Sequence, residues 1–517
     1  MCARFLYILM TCLFVIFRAQ LSFGAALSHS FSPIFEKPGS IFPLGEKIVL
    51  KLKFSGLGEN DDEKHYFSYN IEDFSGKQVD SGDGIVNYDK MQAEIFPQIN
   101  EGGWFLARIA LFINNQKIEI FNQGLPNNAD YVTFAVTPKN NNTYKDLPFG
   151  ICEHYLNEEN AEIMRTAGIG NLRIDVFWDG IQKDKFSYNW DRFDNILKIA
   201  KKYDIKVLPI IDYGVPWAST APHNITGYDR TRYMPHTIPF LRFLNFLVER
   251  YQNEVDQWEV WNEPNIGFWK SAKEKYAELL KIAYEEIKSV DSKATVLMGG
   301  MSEASPEWIK MLYREGAINS FDAYNIHPYH YQVIPEKRLP YELKKFNSIV
   351  DKLSKKPIWI TEIGAPTNIV SLQEQASYLV RDAVISLANG GEKFFWYELA
   401  DHHVDSNDKE ANFGILYHDL SPKPAYVAYA ILIHQLDDAK FDEKMDMKSD
   451  SVYVYRFNKA DQKIDVLWTL KDNEKIVLKD LPREVMVTNI MGVERAITTD
   501  DGILELNLTQ YPIYLYL

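Results

Sequence analysis

Along the first quarter of the chain, apolar and polar positions alternate with a period of two. "KIVLKLKF" (47–54), "HYFSYNIEDFSGKQV" (65–79), "WFLARIALFI" (104–113) and "DYVTFAVTP" (130–138) read as strands, separated by Gly, Asn and Asp clusters that favour turns. Residues 27–147 are therefore expected to form an N-terminal β-sandwich, Ig-like or carbohydrate-binding-like. The polar stretch "PKNNNTYKD" (138–146) reads as the linker that closes it.

From Phe149 the period switches between two and three-to-four. Short apolar runs recur at 149–152, 171–177, 206–211, 257–261, 295–299, 321–326, 357–361 and 393–397. Between them lie amphipathic stretches such as "FDNILKIAKKY", "KYAELLKIAYEEIKSV" and "EQASYLVRDAVISLANG". Eight strand–helix repeats over 148–436 predict an α/β fold, a (β/α)₈ TIM barrel. A doubly wound open sheet is the competing topology, but no Gly-rich phosphate loop follows any of these strands. After "PAYVAYAILIHQL" (424–436) short strands return, so residues 437–517 are expected to form a small C-terminal β-sandwich.

The N-terminus has a different pattern. Arg4, an apolar run from Phe5 to Phe17 and small residues at Gly24, Ala25 and Ala26 follow the order of a secretory signal peptide over 1–26. The run falls short of the roughly 20 residues a membrane-spanning helix needs. Export with cleavage, to the periplasm or outside the cell, is the expectation, with no integral membrane association afterwards. Cys2 and Cys12 would leave with that segment, and Cys152 alone would remain, read as a buried, inert thiol in "FGICEHY". The net charge of −15 disfavours nucleic acid and anionic lipid as partners. A carbohydrate is the expected one, since 14% aromatic residues can supply rings that stack on sugar faces. Composition says nothing of oligomeric state.

In a (β/α)₈ barrel the working face lies at the C-terminal ends of the strands. Polar and aromatic residues singled out strand by strand for this face are His154, Trp178, Asp212, Asn262, Glu263, His327, Tyr329, Glu362 and Glu398 past the runs, with Arg173 and Trp396 inside theirs; Trp217 and Trp269 lie on the loops that follow strands three and four. Glu263 and Glu362 are carboxylates directly at strand ends. Two carboxyl groups across one sugar site suffice for glycoside hydrolysis, one protonating the leaving oxygen and the other attacking the anomeric carbon.

"WNEP" (261–264) with "TEIG" (361–364) resembles the clan A retaining glycoside hydrolases. The longer "WEVWNEPNIGFWK" (258–270) and "DYGVPWAS" (212–219) are most similar to glycoside hydrolase family 39 and its bacterial exopolysaccharide-degrading relatives. The resemblance implies Glu263 as acid/base, Glu362 as nucleophile and Asn262 as donor to the sugar 2-hydroxyl. It also implies Arg173, Tyr329 and His327 as neighbours that hold Glu362 ionised and orient the network, with Trp396 as the floor beneath the sugar. His154, Trp178, Asp212, Trp217, Trp269 and Glu398 are further substrate-binding candidates by position alone. Arg230 and Arg232 would meet a sugar carboxylate if the substrate were a uronide.

Rival functions are a transglycosylase on the same site and a non-catalytic glycan-binding barrel. "DHH" (401–403) and the pair His327 and His330 lack the helix-borne spacing of catalytic zinc sites. No Gly-x-Ser-x-Gly turn supports a serine triad. No metal or cofactor is expected.

Overall fold

The computed structural model describes residues 29–57, 64–139 and 147–517. The expected signal segment at 1–26 and most of the polar linker at 138–146 lie outside these residues.

The N-terminal unit is two mostly antiparallel sheets packed face to face. In Leu50–Ser55 the period of two is visible in the burial itself: Leu50, Leu52 and Phe54 face inward, while Lys51 and Lys53 do not. They meet Phe67 and Ile71 of His65–Asp73, Leu111 of Gly103–Ile113 and Phe134 of Tyr131–Thr137.

Eight parallel strands then close in sequence order: Phe149–Cys152, Asn171–Phe177, Lys206–Asp212, Gln257–Asn262, Thr295–Ser302, Tyr324–His327, Ile358–Ile363 and Gly391–Trp396. The first pairs with the eighth, which completes the barrel. Inward-facing residues include Cys152, Leu208, Leu297, Ala323, Trp359 and Phe395, while alternate residues such as Val207, Val260 and Phe394 pack outward against the helices. Cys152 is buried, as its apolar strand implied, and its thiol donates to the Thr361 carbonyl.

The helices bury one stripe each where only the barrel covers them. Asp191–Lys202 buries Phe193, Ile196, Leu197 and Ala200 and leaves its lysines outside. Helix Pro424–Leu436 is apolar nearly all round, because it has neighbours on several sides. It packs on helices Glu158–Ala167 and Leu372–Ala388 and on two strands of the N-terminal sandwich.

The C-terminal unit is a six-stranded sheet with a two-stranded companion, Glu474–Leu478 paired to Leu504–Leu508. Tyr453 and Tyr455 stack on Trp468, whose indole N–H donates to Glu336 Oε1 at 2.7 Å. Glu336 opens helix Pro335–Leu353, so this bond ties the C-terminal unit to the barrel. Among the described residues no helix is long and apolar enough to cross a membrane.

Besides the packing of helix Pro424–Leu436, one carbonyl takes two bonds from the N-terminal sandwich. Pro422 O accepts from Trp104 Nε1 and from Thr133 Oγ1, each at 2.8 Å and buried. Replacing one donor leaves the other, whereas Trp104→Phe with Thr133→Val strands a buried acceptor. The double variant is expected to lose about 1–3 kcal/mol, more than the single losses combined, read as an earlier denaturant-unfolding transition.

Candidate active site

Two irregularities at strand ends bring the glutamates into the barrel mouth. A strict period of two would send Asn262 and Glu263 to opposite faces. Instead Trp261 and Glu263 take left-handed backbone angles (φ 74° and 41°), and Trp261 turns outward to pack edge-on against Trp269. Asn262 and Glu263 then both reach the mouth, where they share partners with strands two and six. In the seventh strand the register with the eighth shifts between Ile360 and Ile363, so Thr361 and Glu362 both turn toward the same network.

Glu362 accepts from Arg173 Nη1 and, at 3.0 Å, from the Tyr329 hydroxyl; His327 Nδ1 lies 3.5 Å from its Oε2. Burial pushes its pKa up, but the positive fields of His327 and Arg173 and these hydrogen bonds outweigh burial and hold it below the usual carboxylate value. Glu362 is therefore set to be an anion while only 8% exposed.

Arg173 carries a second carboxylate. Its Nε and Nη2 form a fork with Glu259 at 2.7 and 2.8 Å, and Nη2 also donates to Asn262 Oδ1 at 3.0 Å. Glu259 is fully buried and accepts a further bond from the Gly300 N–H at 2.9 Å. Reading only the residues past each apolar run misses Glu259, which lies within its run; the signal is a charged residue at an inward position of "WEVW".

Glu263 Oε1 lies 3.0 Å from His327 Nδ1. His327 Nε2 lies 2.9 Å from Thr361 Oγ1, and that hydroxyl donates to Asn325 Oδ1 at 2.6 Å. With its proton so directed, the Thr361 oxygen accepts from Nε2–H, which turns Nδ1 toward Glu263. The imidazole fits because residue 300 is glycine: a Cβ there would stand 2.0 Å from His327 Nε2. Oxygens of Glu263 and Glu362 lie within 4.8 Å of each other.

A second network lines the rim. His154 Nδ1 lies 2.5 Å from Asp175 Oδ2, and its Nε2 3.4 Å from the Tyr397 hydroxyl. Partial desolvation by its neighbours disfavours charge on His154, whose side chain is still about half exposed, but Asp175 and Glu398 outweigh it and push its pKa up to about 10. Asp212 also points inward but is 1% exposed beside Asp175, and burial with that neighbouring carboxylate pushes its pKa well up. So buried, it is not an exposed cleft residue. Glu398, raised to about 7 by burial and opposed by His402, meets His402 Nε2 at 2.6 Å.

Several aromatic expectations are corrected. Trp396 is fully buried against the outer core, because alternation on the eighth strand turns Phe395 and Tyr397 inward and Trp396 toward the helices. The ring facing the site is Tyr397, in edge contact with His154, Tyr329 and Phe413. Trp178 opens the short helix Trp178–Ile181, stacks on Phe243 and is 1% exposed, so it is packing and not a cleft residue. Trp269 likewise packs between Trp261 and Tyr276. Trp217 keeps partial exposure, set edge-on against Trp178. Arg230 donates to the carbonyls of Pro216, Ser219, Pro222 and Ile225, and Arg232 lies over Tyr228 and Phe268. Both arginines brace their loop.

Among the described residues, two groups gather three side chains able to hold a metal, each with ligand atoms within 4.8 Å: His154, Glu398 and His402, and Glu263, His327 and Glu362. In each, one pair is already within hydrogen-bond distance: His402 with Glu398 at 2.6 Å, and His327 with Glu263 at 3.0 Å.

Gly300→Ala tests the packing of His327. The added methyl must displace the imidazole from Thr361, and a shift of about 1 Å at such a site costs on the order of 10²-fold in rate. The expected result is a fall of that size in kcat/KM with an unchanged circular dichroism spectrum.

Residues 136–400, just over half of the chain, match the family model described as cellulase (glycosyl hydrolase family 5). The fold is shared with a family 39 glycoside hydrolase from Bacteroides cellulosilyticus WH2, at TM-score 0.76 and 24% identity over 94% of this chain and 100% of that one. It is also shared with a family 39 β-xylosidase from Caulobacter crescentus, at TM-score 0.56 and 16% identity over 72% and 96% of the two chains. A family 30 endoxylanase from Clostridium papyrosolvens C71 gives TM-score 0.54 and 12% identity over 73% and 97%. No curated protein matches the sequence. The chain belongs to the cellulase family of glycosyl hydrolases, family 5 of clan A, an O-glycosyl hydrolase clan whose general mechanism retains configuration at the anomeric carbon.

Proposed function

We propose that this protein is an exported retaining glycosidase that cleaves an oligo- or polysaccharide, with Glu362 as nucleophile and Glu263 as acid/base. The observation that carries the assignment is the asymmetry of the two carboxylates. Glu362 receives a guanidinium and a phenol, whereas Glu263 receives neither and faces His327 Nδ1. Two carboxyl groups with oxygens within 4.8 Å of each other suit double displacement.

In the first step a Glu362 oxygen bonds to the anomeric carbon as the bond to the leaving oxygen breaks, and Glu263 gives that oxygen its proton. In the second, Glu263 takes a proton from water as the water oxygen attacks the anomeric carbon and frees Glu362. Asn262, its Oδ1 held by Arg173, turns its Nδ2 toward the Tyr213 hydroxyl and is the donor assigned to the sugar 2-hydroxyl. Tyr397 and His154 are assigned to the rest of the glycosyl unit, whereas Glu398, with no exposure, holds His402 beside them and is not a sugar contact. Because Arg230 and Arg232 are committed to their own loop, an uncharged unit is favoured over a uronide. The apolar segment at 5–17 supports export to the periplasm or beyond.

The test is turnover of aryl glycosides and oligosaccharides by the wild type, Glu263→Ala and Glu362→Ala, with azide added. Glu362→Ala is expected to lose turnover and to give an azide product of inverted configuration. Glu263→Ala is expected to lose about 10²–10⁴-fold on poor leaving groups and to give a retained azide product. Wild-type kcat/KM should fall on the acid side as Glu362 gains a proton, at a pH below the ordinary glutamate range. Equal activity in all three proteins would end the assignment.

A further inference from the structure

Directly after Tyr329, whose hydroxyl meets Glu362, the chain buries a second histidine outside the cleft. His330 is 4% exposed and Asp382, on helix Leu372–Ala388, is 1% exposed. His330 Nδ1 lies 3.0 Å from the Val333 carbonyl, and Nε2 lies 2.8 Å from Asp382 Oδ1. A carbonyl only accepts, so Nδ1 carries a hydrogen; the contact at Nε2 then requires a second proton between imidazole and carboxylate.

We propose that the His330–Asp382 pair is a positioning element for the nucleophile, fixing the Tyr329 backbone so that the phenol stays on Glu362. The inference rests on the assignment of Glu362 made above.

The ring of Tyr329 meets Tyr331, Tyr397 and Phe413 only through edge contacts at 5.9–6.4 Å between centroids. Such contacts limit the tilt of the ring but do little to fix its distance along the loop, and a hydrogen bond of 3.0 Å to Glu362 Oε2 depends on that distance. The Tyr329 N–H donates to the His327 carbonyl at 3.0 Å, which ties the residue only to its own strand end; His330 adds a restraint from outside the strand, because its two ring nitrogens tie the next residue both to its own turn and to a helix. The helix is itself held. Arg381, next to Asp382, donates to both oxygens of Glu336, and Trp468 of the C-terminal unit donates to Glu336 Oε1 at 2.7 Å. The charged groups facing Asp382 besides His330 are Glu336 and Arg381, which pair with each other and leave the histidine as its hydrogen-bond donor. Burial opposes charge on His330, but Asp382 outweighs it and raises the imidazole to about 9, so the pair keeps its proton across the neutral range.

The experiment is the pH profile of kcat/KM on an aryl glycoside that the wild type cleaves, measured for Tyr329→Phe, Asp382→Asn and the double variant, with thermal unfolding of each. Losing the phenol removes a hydrogen bond that favours the Glu362 anion, so Tyr329→Phe should move the acid limb to higher pH. Asp382→Asn should move it the same way, by up to about one unit, with kcat falling more than KM rises. The double variant should go no further than Tyr329→Phe alone. If Asp382→Asn does not fold, His330→Gln replaces it, since its amide still reaches toward one acceptor. An Asp382→Asn protein that melts earlier but keeps the wild-type acid limb overturns the proposal, as does a double variant whose shifts add. An acid limb that ignores Tyr329→Phe, with Glu362→Ala still active, overturns the nucleophile assignment and the proposal with it.

Discussion

The site depends on one buried cation shared between two carboxylates. Arg173 gives a two-pronged fork to Glu259 and its remaining nitrogen to Glu362. A guanidinium 3% exposed is tolerable only while paired, and stripping one partner from such a pair costs about 3–5 kcal/mol. Glu259, with no exposure, takes the fork and fixes the guanidinium plane. Glu362 takes the single prong and remains 8% exposed, open to a reacting carbon. One arginine thus has a structural acceptor and a chemical one, and the difference in burial separates them. Asn262 is held through the same guanidinium, so its amide is aligned by the same contact.

Around this ion pair the barrel departs from its own regularity where function needs it. A regular strand presents one residue in two to the interior. The left-handed angles at Trp261 and Glu263 and the register shift before Ile363 each deliver two consecutive residues to the mouth. The price is backbone strain of a kind concentrated at functional sites. It is sustained because the neighbouring residues are locked: Trp261 against Trp269, Asn262 on Arg173, Thr361 between His327 and Asn325. The flanking units add rigidity at a distance, one through the Pro422 carbonyl and the other through Trp468 on Glu336.

Much of this was legible in the sequence. Alternation identified the two sandwiches and the eight barrel strands, whose ends differ from the expected ones by up to three residues. The strand ends pointed to Asn262, Glu263, His327, Tyr329 and Glu362, with Arg173 inside the second strand, and the fold brings all six together: Arg173 bonds Asn262 and Glu362, Tyr329 bonds Glu362, and His327 meets Glu263 and lies 3.5 Å from Glu362. The strand-end rule failed in two directions for physical reasons. Trp178 and Trp269 follow strands but lie where the chain has already turned into helix packing, and Trp396 belongs to the outward set of its strand. Glu259 and Tyr397 went unseen because one lies inside its apolar run and the other is an inward ring beside a more conspicuous tryptophan. His330 and Asp382, 52 positions apart, carry no local signal that they pair; only the packing of a loop on a helix brings them together.

The most direct test of the account is chemical trapping of the nucleophile. The wild-type enzyme is incubated with a 2-deoxy-2-fluoroglycosyl fluoride of the sugar it hydrolyses, and the labelled protein is digested and mapped by mass spectrometry. A single glycosyl unit attached to the peptide that contains Glu362 is the result the account predicts. A label on Glu263, on Glu259 or on any other carboxylate would contradict it, as would inactivation without a covalent adduct.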